Sequence, residues 1–128
     1  MSSTLFNVAF DCSDPGALAR FWSQVVDKPV SFVDDDEAVV ELPGGPNLYF
    51  QRVPEAKTDK NRVHVCLTPN QTRDLEVNRL AELGATLISD HRNPDGSGWA
   101  VMGDPEGNEF CVLRSAAERE AMRIAAPL

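Results

Sequence analysis

No apolar run in this 128-residue chain approaches the ~20 residues of a membrane-spanning helix, so no such helix is expected. Basic residues are scarce. Twelve Lys and Arg stand against 20 Asp and Glu, a net charge of −8, so binding to a phosphate backbone would work against the protein's own field. Nucleic acid is therefore not an expected partner. The start, Met1-Ser2-Ser3-Thr4, lacks the basic and long apolar segments of a signal peptide, which gives the expectation of an unprocessed cytoplasmic protein. Cysteine is sparse too. Cys12, Cys66 and Cys111 are odd in number and show no CxxC spacing, so neither a disulfide framework nor a zinc ribbon is indicated. Small thiols buried in a reducing compartment are the plain expectation. What remains, 42% hydrophobic and 25% charged, is the composition of one soluble globular domain over residues 1–128.

The elements follow from punctuation and periodicity. Leu5 to Phe10 is a short apolar run bounded by Asp11 and reads as a strand. Asp14 is a good helix N-cap and Pro15 suits the first helical position; Leu18, Phe21, Trp22, Val25 and Val26 then form an apolar stripe at i, i+3, i+4, i+7 and i+8. Strands are expected at Val30 to Val33, Glu37 to Leu42 and Leu48 to Val53. They are separated by the acidic turn Asp34-Asp35-Asp36 and the breaker cluster Pro43-Gly44-Gly45-Pro46. The pattern then begins again. Arg62 to Thr68 reads as a strand, and a helix from about Asn70 to Leu83 has Val77, Leu80 and Ala81 as its apolar positions and Gly84 as its cap. Thr86 to Ser89, Trp99 to Met102 and Glu109 to Leu113 complete a second set of three strands. The tail, Ser115 to Leu128, reads as a short surface helix.

Each half is thus β-α-β-β-β, module one at about 5–53 and module two at about 61–113. The numbering supports a duplication of pattern: Asn7 and His64 are 57 apart, Phe21 and Leu80 59 apart, Gln51 and Cys111 60 apart. Small loop insertions would make the offset drift in this way.

Five segments carry a family resemblance. They are Asp14-Pro15-Gly16-Ala17-Leu18-Ala19-Arg20-Phe21-Trp22, Asn47 to Glu55, Asn61-Arg62-Val63-His64-Val65, Leu83-Gly84-Ala85, and Asp104-Pro105-Glu106-Gly107-Asn108-Glu109-Phe110-Cys111-Val112-Leu113. Together they resemble the glyoxalase-like domains of the vicinal oxygen chelate superfamily, which includes glyoxalases, bleomycin-resistance proteins and extradiol dioxygenases. The resemblance implies an α+β fold in which two βαβββ modules form facing mixed sheets around a cleft, with the helices outside. It also implies, for the metalloenzymes of the family, a divalent ion held by one residue from the first and one from the last strand of each module. Carried over, those places are Asn7, Gln51, His64 and Cys111.

That set is poor for such an ion. Asn7 and Gln51 offer neutral amides, and no carboxylate offsets the ion's charge. The expectation is accordingly no metal and no cofactor, with a His64, Cys66 and Cys111 set as the thiolate alternative, since Cys66 shares the face of His64 by period-2 alternation. Without metal, the four residues are expected to converge on the cleft floor, with Val63, Val65, Phe110 and Val112 facing the helices. Tyr49, on the side of Gln51, and Trp99, beside a glycine-rich turn, would supply rings for a small polar-aromatic ligand. His64 suits hydrogen bonding or proton transfer. Two functions stay open: a small-molecule-binding protein, or a lyase, isomerase or dioxygenase that uses a reduced metal set or His64 as acid and base. A homodimer is expected, because modules of this kind leave strand edges exposed.

Overall fold

A computed structural model describes residues 1–125; the last three residues of the expected tail helix lie outside the described residues. The described chain divides into two compact units at Thr58 and Asp59. The first contains β1 (Asn7–Cys12), α1 (Pro15–Val26), β2 (Val30–Val33), β3 (Glu37–Val40) and β4 (Asn47–Arg52). The second contains β5 (Val65–Leu67), α2 (Arg73–Leu83), β6 (Thr86–Asp90), β7 (Ala100–Gly103), β8 (Glu109–Val112) and α3 (Ala116–Ala125). Each unit is a βαβββ module, and the class is α+β. The strand orders correspond, β1-β4-β3-β2 and β5-β8-β7-β6, each with one parallel pair between its first and last strands and antiparallel pairs elsewhere.

In module one, the Asp14 carboxylate accepts the Ala17 N–H at 3.1 Å and so starts α1. The stripe buries Leu18, Phe21, Trp22 and Val25 against a sheet face that includes Ala38, Val40, Leu48 and Phe50. Trp22 sits among rings, 5.3 Å from Phe10 and 5.4 Å from Phe21, both edge-on. The acidic triplet is a turn whose Asp34 side chain accepts the N–H groups of Asp36 and Glu37, each at 2.8 Å.

In module two, Thr72 caps α2 through the Leu75 N–H, and Gly84 ends it with φ of 120°, a left-handed conformation that side chains resist. The buried face of α2 is Arg73, Glu76, Val77 and Leu80, whereas Ala81 is exposed. Two charged residues take its place because both are satisfied. Glu76 receives Arg79 at 2.7 and 2.9 Å and Gln71 at 2.9 Å, and the Arg79 guanidinium holds its carboxyl below the usual range. The turn from β7 to β8 is built by buried Asp104. Its carboxylate accepts the Glu106 and Asn108 N–H groups, each at 2.9 Å, and the Asn108 amide at 3.0 Å. The Asp104-to-Asn108 motif is therefore a self-satisfied turn.

Every strand but β2 differs from the sequence reading by one to three residues at an end, and three of these differences bear on the site. β1 begins at Asn7 because its parallel partner begins at Asn47, so Leu5 and Phe6 lie beyond the sheet and are exposed. β5 begins only at Val65. Just before it, the Asn61 side chain takes the Glu109 N–H at 3.4 Å and donates to the Val63 carbonyl at 3.3 Å, in place of a backbone ladder. Val63, expected against the helix, is consequently 82% exposed. Trp99 falls one residue before β7. Among the described residues no helix is long and apolar enough to cross a membrane.

Candidate functional site

Period-2 alternation gives the sheet of module two one face packed on α2 and one open face. Phe110 and Val112 are fully buried on the helix side, which leaves Glu109 and Cys111 of β8 and Cys66 of β5 on the other. Cys66 stands directly opposite Cys111 on the parallel pair, and His64 lies two residues before Cys66. One ligand atom from each of His64, Cys66 and Cys111 lies within 4.8 Å of the other two.

These three residues line a concavity of about 330 Å³ together with Lys60, Trp99, Val101, Glu109 and Leu113. Its walls are mainly apolar. Lys60 and Glu109 pair across its edge, which neutralises both charges there. Cys111 is buried at the floor; burial, with the neighbouring Cys66 thiol, pushes its pKa up, although Lys60 pulls the other way. Burial therefore works against its activation as a nucleophile.

Trp99 is held by its surroundings. Its backbone exchanges hydrogen bonds with His91, and the two rings stack at 4.9 Å and 20°. Gly98 beside it has φ of 92°, and a Cβ there would come within 1.9 Å of the His91 carbonyl oxygen, so only glycine allows this close approach. The preceding turn is tied to α2 by buried Arg73, whose guanidinium donates to the carbonyls of Gly96, Ser97 and Gly98 at 3.3, 3.0 and 3.0 Å.

Module one places its candidates differently. Tyr49 and Gln51 share the open face of β4, but the Tyr49 hydroxyl donates to Glu37 at 2.6 Å, which raises its pKa. Gln51 is exposed and opposite Asp11 on β1 and Glu37 on β3. Asn7 is opposite Asn47, four residues back along β4 from Gln51, a separation of roughly 13 Å at strand rise. The two amides therefore do not meet. Register also shows why the offset of 57 pairs unlike positions: with Gln51 equivalent to Cys111, the residue equivalent to Cys66 is Asp11, 55 before it, and His64 corresponds to Ala9.

The structure thus brings His64, Cys111 and Trp99 to one concavity and leaves Asn7 and Gln51 apart within their own module. The four-residue set implied for an oxygen-chelated divalent ion does not fit: its two amides are weak donors that are not neighbours, and it has no carboxylate. Lys60, Val101 and Leu113 were not legible as lining residues. A lysine in a charged loop gives no signal of its own, and its partner Glu109 is 49 residues away.

A family model for a glyoxalase-like domain matches residues 7–113. No curated protein matches the sequence. Among solved structures, the chain is similar to a glyoxalase/bleomycin resistance protein/dioxygenase family enzyme from Burkholderia phytofirmans PsJN, at 21% identity and TM-score 0.68 over 86% of this chain and 97% of that one. It is similar to the oxidase ChaP-H2 at 26% identity and TM-score 0.64, over 89% and 94%. It is also similar to lactoylglutathione lyase from Agrobacterium tumefaciens at 18% identity and TM-score 0.60, over 88% and 93%. The first and third of these likenesses show the fold alone.

Proposed function

We propose, from the premise that this chain belongs to the glyoxalase-like domain family, that it binds a small polar-aromatic molecule in the concavity of its second module. The observation that carries this reading is the convergence of the His64 imidazole and the Trp99 ring on one mainly apolar hollow of about 330 Å³. That volume is at the lower end of small-ligand pockets. A planar ligand would lie against the indole and exchange a hydrogen bond with His64, while Val101 and Leu113 supply apolar contact. A cytoplasmic setting suits three cysteines that form no disulfide.

The test is a thermal-shift screen of polar-aromatic compounds against metal-free protein, followed by titration of the best one. A ligand at 100 times its Kd adds roughly 2.7 kcal/mol to stability. His64→Ala is expected to weaken binding about tenfold, the equivalent of one hydrogen bond of about 1.4 kcal/mol, with the circular dichroism spectrum unchanged because His64 is exposed. Equal affinity in the variant would remove His64 from the site.

The likeness to an oxidase at 26% identity favours a second reading, in which His64 moves a proton on the bound molecule. Mass spectrometry of the ligand after incubation separates the two. Binding alone returns it unchanged, and catalysis returns a product.

The homodimer belongs to the same proposal. The outer strands β2 and β6 are unpaired on one side and expose Phe32, Val33, Leu87 and Ile88. Light scattering at micromolar concentration is expected to give twice the chain mass of 14.0 kDa. A value at the chain mass would refute the dimer.

A further inference from the structure

The compact His64, Cys66 and Cys111 cluster asks for chemistry that hydrogen bonding to an organic ligand does not use. We infer that these three side chains form a site for a thiophilic cation of the zinc class, held wholly within the second module and open to the concavity at its fourth position. The backbone supplies the arrangement: two cysteines directly opposite on adjacent parallel strands, and a histidine two residues upstream of one of them. Their ligand atoms already lie within 4.8 Å of one another. A tetrahedral zinc with bonds of 2.0 to 2.3 Å sets its donors roughly 3.3 to 3.8 Å apart, so small side-chain rotations close the remaining gap.

Charge and softness select the ion. Two thiolates and a neutral imidazole cancel a charge of 2+, and sulfur donors favour zinc over the harder ions that carboxylates hold. Lys60, the cation at this edge, is already paired with Glu109. Two cysteines, one histidine and an open position make up a donor set that leaves zinc able to take water or a ligand atom. The inference goes beyond the ligand-binding reading. It also differs from the oxygen-chelating arrangement, which would draw on Asn7 and Gln51.

The experiment uses the full chain, stripped with a chelator and kept reduced by a phosphine, and titrates it with Co²⁺ and then Zn²⁺. One equivalent of Co²⁺ per chain is expected, with a thiolate-to-cobalt charge-transfer band that zinc displaces. Cys66→Ser is expected to abolish the band and, like His64→Ala, to weaken zinc binding by more than about 100-fold, since even the loss of a ligand's outer-shell partner costs 10–100-fold. Both residues are exposed, so both variants keep their fold, which circular dichroism checks. Cys12→Ala, in the other module, is expected to leave the band unchanged. Absence of a charge-transfer band in the unmodified protein, half an equivalent of metal per chain, or a band that survives Cys66→Ser would each overturn the site. The ligand screen is run without metal, so the two readings fail separately.

Discussion

Trp22→Ala is expected to destabilise the protein by about 3–5 kcal/mol, the usual cost of deleting a large aromatic ring from a packed core. Trp22 is 1% exposed, and it is the largest of the fully buried side chains. Its loss removes the edge-on contacts with Phe10 and Phe21 and leaves a cavity lined by rings too rigid to fill it. The neighbours that would have to collapse inward are fixed on two different elements, β1 and α1. Urea unfolding followed by circular dichroism measures the effect. A loss below about 1 kcal/mol would mean that the ring is not a central packing element.

The second large effect is expected at Arg73. Arg73→Ala should cost about 3 kcal/mol, the lower end of the range for removing one partner of a buried charged contact. The guanidinium is 4% exposed and gathers three consecutive carbonyls of the turn that precedes Trp99. Half-buried carbonyls can turn to water once it is gone, so the three bonds do not add. Arg73→Lys is expected to recover only part of the loss, because an ammonium can replace the one terminal nitrogen, Nη1, that reaches all three carbonyls but not the Nε–H that Asp74 accepts at 3.3 Å. The functional readout is separate from stability. With the turn released, the stacking of Trp99 on His91 loosens, and the affinity of the polar-aromatic ligand falls while the three metal donors stay in place. Unchanged ligand affinity in a folded Arg73→Ala variant would show that the turn does not position the ring.

Much of the local architecture was legible because it depends on neighbours in the chain. Asp14 and Pro15 before an apolar stripe and Gly84 after one use bonds that span only a few residues, so their residue types announce them. The charged face of α2 was not legible. Nothing near Arg73 in sequence shows that carbonyls from Gly96 to Gly98 will accept its protons, so the reading of α2 took Ala81 as an apolar position and left Arg73 out.

The site divides along the same line. Alternation alone assigned Cys66 to the face of His64, since every second residue of a strand points the same way. What only the tertiary structure decided was the register between strands. Sliding β5 against β8 by two residues would leave every side chain on its own face and still separate Cys66 from Cys111. Numbering by a repeat offset cannot detect such a slide, and it paired Asn7 with His64 where the ladder sets Ala9. Register is determined by long-range pairing and by loop lengths summed over a whole module, and no single residue carries it.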